Sequence, residues 1–149
     1  MANAVFVTEN LAGQVHRDES GWGRDVAQIG LIVGPCCADI GEGGLAVALA
    51  ECCFGGIGAM IDVESGLRPE FALFHEAPSR VLISTAEPEA VQRIATQNKI
   101  ECLRIGVTIR ERLRIDGNSV TRVDCPVDRL REIWEQGLEQ LLMPAHAEA

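Results

Sequence analysis

The run Asp39-Ile40-Gly41-Glu42-Gly43-Gly44 leads without a break into Leu45-Ala46-Val47-Ala48-Leu49-Ala50-Glu51-Cys52-Cys53-Phe54. The second piece is apolar almost all round and rich in Ala and Leu, which predicts a helix buried on most of its surface. Gly55-Gly56 then stops it. With no side chains at Gly41, Gly43 and Gly44, the backbone ahead of the helix can approach a ligand, and the first-turn N–H groups have no partner inside the helix. Those donors and the helix dipole favour an anion at that end. Asp39 and Glu42 would repel a bare phosphate, and a divalent ion such as Mg²⁺ would reconcile the two charges. The alternative is a Gly-rich loop that only caps a buried helix, with Asp39 as a solvated turn residue.

Working outward, residues 57–63 read as a strand in which Gly58 permits close packing. Ser65-Gly66 and Pro69 mark a turn, and residues 81–84 are β-rich. Glu87-Pro88-Glu89 opens a helix through about Gln97, with proline early and acids near the positive end of the dipole. Residues 101–107 read as a further strand, and 112–115 with 120–123 as a hairpin around Asp116-Gly117-Asn118-Ser119. Pro126 opens a last helix with an apolar stripe of Val127, Leu130, Ile133, Trp134, Leu138, Leu141 and Leu142. Toward the N-terminus, Val26, Ile29, Ile32 and Val33 predict a helix from Arg24 that Gly34-Pro35 ends, and Val5-Phe6-Val7 suggests a short strand. The mixture of crossover and hairpin connections predicts an α+β fold, an α/β sandwich with a mixed sheet and flanking helices. The expected organisation is a poorly defined segment at 1–23, one domain at 24–143, and a frayed tail at 144–149.

The second place where chemistry could sit is Glu76-Ala77-Pro78-Ser79-Arg80. A carboxylate, a hydroxyl and a guanidinium at a strand entry can hold a ribose or a phosphate, the guanidinium by paired contacts. An ordinary loop whose Arg80 pairs with a neighbouring acid is the other reading. His16, His75 and His146 lie far apart and form no ligand or triad spacing, and Trp22 and Trp134 read as packing residues.

The 149 residues suit one domain with a single core. Thirteen basic against 22 acidic residues give a formal charge of −9, which argues against general binding to nucleic acid or an anionic membrane. The first eleven residues lack a basic start followed by an apolar run, so no secretory signal is expected. The six cysteines stand as two adjacent pairs and two singletons, without the C-x-x-C step of a zinc knuckle. Reduced thiols in a cytoplasmic protein are expected.

Together the two motifs resemble a known family. Residues 39–51 are similar to the His-Asp-x-Ser-(Asp/Glu)-Gly-Gly-Leu-Ala-x-Ala-Leu-x-Glu signature of the AIR-synthase superfamily, in its phosphoribosylformylglycinamidine synthase branch. Residues 73–80 resemble that branch's Leu-Phe-(Gly)-Glu-x-x-Ser-Arg motif, and the later order Ile105-Gly106-Val107-Thr108, Leu113-Arg114-Ile115 and a final helix with Trp134 is similar too. The likeness covers roughly residues 24–143. It implies an AIR-synthase carboxyl-terminal-domain-like fold that works with an ATP-binding amino-terminal domain, in the same chain or separate, and with a glutaminase subunit supplying ammonia. It implies an ATP-dependent amidine-forming ligase of purine biosynthesis, with Mg²⁺ and ATP or ADP as cofactors. Asp39 would ligate the metal, while Gly41, Glu42, Gly43, Gly44, Glu76, Ser79 and Arg80 would contact substrate or nucleotide. Catalytic histidines would lie in the missing domain, so none is assigned here. Three positions depart from the pattern: Ala38 for His, Gly41 for Ser and His75 for Gly. A free-standing nucleotide-binding or assembly module is the alternative, as is the matching domain of another enzyme of the superfamily. An isolated half-domain would also expose apolar surface, which predicts a homo-oligomer.

Overall fold

A computed structural model of the chain describes residues 2–9, 36–77 and 80–142. Among them lie seven strands and four helices: β1 (Ala4–Glu9), β2 (Cys36–Asp39), α1 (Gly44–Cys53), β3 (Ile57–Val63), α2 (Pro69–Phe74), β4 (Val81–Thr85), α3 (Pro88–Gln97), β5 (Glu101–Arg110), β6 (Arg112–Gly117), β7 (Val120–Pro126) and α4 (Val127–Leu142). The strands form one mixed sheet in the order β2-β4-β1-β5-β3-β6-β7. Only β3 and β6 run parallel among the described pairs. The predicted α+β architecture is the observed one.

Alternation along β1 shows how the sheet is covered. Val5 and Val7 face the main core with Leu45, Leu49, Ile61, Leu82 and Ile115, whereas Ala4 and Phe6 face a smaller cluster with Ile83 and Val91 of α3. Helix α1 thus lies on one face and α3 on the other. Leu45 and Leu49 are almost fully buried, each contributing about 1.5–3 kcal/mol of transfer free energy. The apolar character of α1 all round is explained by this position: sheet on one side, α2 and α4 on others.

Local chemistry sets the element ends. Gly56, at φ 90°, donates its N–H to the Cys53 carbonyl at 2.9 Å and terminates α1 in the left-handed conformation that glycine accepts without cost. Gly58 and Gly106 stand where strand backbones approach closely. A Cβ on Gly58 would lie 1.9 Å from the Arg112 carbonyl oxygen, and one on Gly106 would lie 2.1 Å from that of Met60.

Several details differ from the sequence reading. Residues 36–39 are an edge strand, whereas no element was expected there. Pro69–Phe74 is a short helix with proline at its first position, not a plain lead-in to the following motif. The hairpin loop is Asn118-Ser119, both left-handed, while Gly117 belongs to β6. Pro126 ends β7 and α4 begins at Val127. The stripe of α4 is buried at Val127 and half-buried at Leu130, but Ile133 and Trp134 are 54% and 61% exposed. The Trp134 ring lies beside that of Phe54, 6.0 Å away between centroids. The helix expected from Arg24, His16, Trp22, Ser79, His146, the tail from residue 144, and the side chains of Cys36, Cys37, Leu138, Leu141 and Leu142 lie outside what the structure describes. The sheet also takes an interior strand, β1, from the segment before residue 24.

Candidate functional site

The glycine run and the Glu76–Arg80 segment are far apart in sequence and adjacent in space. Strand β2 ends at Asp39, and its pairing with β4 places the turn 40–43 beside the residues that lead into β4. The Ile40 N–H donates to the Arg80 carbonyl at 2.9 Å. The Gly43 N–H donates to Oε1 of Glu76, also at 2.9 Å. Gly44 lies so close to the end of α2 that an added Cβ would sit 2.7 Å from the Phe74 carbonyl carbon. One locus therefore holds both motifs.

At the start of α1, Gly43 caps the helix in a left-handed conformation with no side-chain cap, and Gly44 is left-handed as well. The Gly44 N–H turns back to the Gly41 carbonyl at 3.1 Å. Glu76 thus already places a carboxylate at the positive end of the helix, where an anion is favoured. Asp39, Gly41, Glu42 and Glu76 are exposed, Gly43 is half-buried, and Gly44 is buried. Arg80 is only 4% exposed, which is unusual for a guanidinium. A buried Cβ position at Gly41 is not required: its nearest neighbour would be Oδ2 of Asp39, at 3.9 Å.

Among the described residues no three His, Cys, Asp or Glu side chains are grouped to hold a metal ion. The donor chemistry of Asp39 still suits Mg²⁺, which commonly takes one or two protein carboxylates and fills its octahedron with water and phosphate oxygens. Cys102 and Cys125 are free thiols, and burial pushes Cys102 up to about 11.

Beside Arg80 the sheet opens. Pairing of β3 with β5 ends at Ile61 and Gly106. Beyond that point β5 continues along β1 to Glu101, and β3 follows β6 to Val63. The parted strands border a cavity of about 920 Å³, whose walls include Asp62, Glu64, His75, Arg80, Leu103 and Arg104. His75 donates from Nδ1 to the Phe71 carbonyl at 2.6 Å, leaving Nε2 for other partners. Sequence reasoning passed over Asp62 and Arg104. The available signal was a charge at an interior position of each strand, Asp62 after Met60-Ile61 and Arg104 between Leu103 and Ile105.

Comparison with known proteins identifies the family of the chain and its fold. The family model described as AIR synthase related protein, C-terminal domain, matches residues 24–117. The chain belongs to this family. Among curated relatives, the phosphoribosylformylglycinamidine synthase subunit PurL of Alkaliphilus metalliredigens is 39% identical over 108 residues, covering 70% of this chain and 14% of that protein. The chain thus spans about 14% of the length of that relative. In fold, the chain matches T. maritima PurL complexed with ATP with a TM-score of 0.67 at 16% identity, over 86% of this chain and 25% of that one. The hydrogenase maturation protein HypE matches with a TM-score of 0.56 at 17% identity, over 80% of this chain and 51% of that one. The AIR-synthase-like fold therefore recurs in proteins with different names.

Proposed function

We propose that this chain serves as the carboxyl-terminal domain of a phosphoribosylformylglycinamidine synthase, an ATP-dependent amidine-forming ligase of purine biosynthesis. The reading rests on one observation: the two motifs that resemble that enzyme converge through the Gly43–Glu76 and Ile40–Arg80 hydrogen bonds. Identity to PurL relatives over most of the chain supports it. The activity needs an ATP-binding amino-terminal half, with ammonia from a glutaminase subunit, acting in the cytoplasm. The domain unit is residues 24–143 together with strand β1.

In this reading Asp39 would hold a Mg²⁺ that offsets the charge of phosphates, and the turn at Gly41–Gly44 would lie beside them. By the same resemblance Ser79 and Arg80 would contact substrate or nucleotide, and Glu76 holds the turn in place through Gly43. The exposed apolar side chains of Leu67, Phe71 and Phe74 on and beside α2, and of Ile133 and Trp134 on α4, suit cover by a partner domain or a second copy. Calorimetric titration with Mg²⁺-ADP tests the nucleotide role. Binding that is lost in Asp39→Ala supports it, and absence of binding to the unaltered chain overturns it.

A nucleotide-binding or assembly module without catalysis is the second reading. It is favoured by Ala38 and Gly41, which replace a His and a Ser of the family pattern.

A further inference from the structure

Helix α4 is seated on the domain at its start. The Val127 N–H donates to the Glu111 carbonyl at 3.0 Å, Val127 is buried, and Leu130 packs against the main core. One turn later Ile133 and Trp134 are exposed, and the Trp134 ring lies tilted beside Phe54, just past the end of α1. The helix runs for 16 residues, roughly 24 Å. Its sequence keeps the apolar spacing to the end, with Leu138 four residues and Leu141 seven residues after Trp134.

The order of residues along α4 says which occupant fits this face. Its apolar positions are symmetric about Trp134: Leu130 stands four residues before it and Leu138 four after, Val127 seven before and Leu141 seven after. Its charges are opposed in the same register, with Arg129 five residues before Trp134 and Glu139 five after. Asp128 and Glu132 fall opposite Gln140 and Gln136, which carry no charge. Two such helices laid antiparallel about Trp134 therefore set leucine against leucine and Arg129 of each copy against Glu139 of the other. A parallel pair would oppose like charges instead. Arg129 already meets Glu132 at 2.6 Å, but both are well exposed, and a pair of that kind is worth little and easily shared. Nothing lies within 4 Å of where a Cβ on Gly137 would stand, which leaves room for an indole from a second copy.

We infer that α4 is a self-association face, across which a second copy of this chain lays its own α4 antiparallel, the two crossing at Trp134. The contact is the same patch on both copies, with an aromatic side chain at its centre and an ion pair toward each end. It goes beyond the proposed ligase role and does not depend on it, since neither the glycine turn nor the Glu76–Arg80 segment takes part.

Sedimentation equilibrium of the 149-residue chain is the test. One helix face buries little area, so a Kd on the order of 10–100 μM is expected. Trp134→Ala should raise it about tenfold or more, as loss of a central aromatic does, with little change in melting because the residue is 61% exposed. Arg129→Glu and Glu139→Arg should each weaken self-association about fivefold. Their equimolar mixture should return to the parent's value, because each copy then offers the charge that the other lacks. Mixing would not rescue a folding defect. A parent that stays monomeric up to about 1 mM overturns the inference, as does a dimer that Trp134→Ala leaves unchanged. A mixture no tighter than its two components overturns the antiparallel register. A monomeric parent that binds an ATP-binding half, and loses that binding in Trp134→Ala, gives the face to that domain and overturns self-association while sparing the proposed function.

Discussion

Replacing Gly44 by alanine should destabilise the domain strongly. The residue has φ 70°, and its Cβ would meet the Phe74 carbonyl carbon at 2.7 Å, Phe74 Cα at 2.8 Å and the Leu73 carbonyl oxygen at 2.9 Å. Each distance is roughly 0.6–0.8 Å inside ordinary contact of about 3.5 Å. These are backbone atoms of α2, so no rotamer change relieves them, and α1 must move away from α2. The left-handed backbone costs an alanine about 1–2 kcal/mol, and forcing extra volume into a packed contact typically costs about 1–3 kcal/mol more. For a chain of this length the sum corresponds to a fall in Tm on the order of 10 °C. Gly56→Ala is the internal control. It shares the left-handed φ, at 90°, but nothing lies within 4 Å of where its Cβ would stand. Its cost should stay near the backbone contribution of about 1–2 kcal/mol. Thermal melting followed by circular dichroism decides the matter. A Gly44→Ala protein that melts within about 2 °C of the parent, or above Gly56→Ala, would refute the argument that this glycine serves helix packing.

Three further outcomes are expected. Gly41→Ser, which restores the residue of the family pattern, has room beside Asp39 and should change stability by less than about 0.5 kcal/mol in urea unfolding while tightening Mg²⁺-ADP. Thr121 and Arg114 hold the Asp116 carboxyl below its ordinary value, and Arg112 does the same for Asp124. Their stabilisation is therefore complete above the unfolded value of about 3.9 and is lost as pH falls through the lower folded values. Acid unfolding should accordingly be less steep in Asp116→Asn, and an unchanged acid limb would count against the network. Cys102, raised to about 11 by burial, should be roughly one part in a thousand thiolate at pH 8. Its alkylation by iodoacetamide, read by mass spectrometry, should be far slower in the folded chain than in urea and should rise with pH up to that value.

The sequence carried most of the fold because its signals were local. β-rich stretches and flanking turns marked β3, β4, β5 and the β6–β7 pair, and an apolar run between glycines marked α1. Helix α2 escaped because it spans only six residues, too few for helical periodicity to show. Strand β2 escaped because four residues with two cysteines give no alternation. The exposure of Ile133 and Trp134 was hidden for another reason: an apolar stripe records what a helix face prefers, not what covers it.

Site residues were legible as motifs but not as geometry. That Glu76 would bond to Gly43, and that Gly44 would pack on Phe74, follow only from the long-range pairing of β2 with β4. The gap between β3 and β5 has no sequence signature, because a ladder ends where two strands twist apart and not at a particular residue.

The central claim is that this domain completes an ATP-dependent synthase, and reconstitution addresses it most directly. The chain would be mixed with the ATP-binding half of the Alkaliphilus metalliredigens relative, and ADP release would be measured with formylglycinamide ribonucleotide and ammonia. The account predicts release by the mixture, none by either part alone, and loss in Asp39→Ala. A mixture that neither associates in sedimentation nor releases ADP, under conditions where the intact relative does, would contradict it.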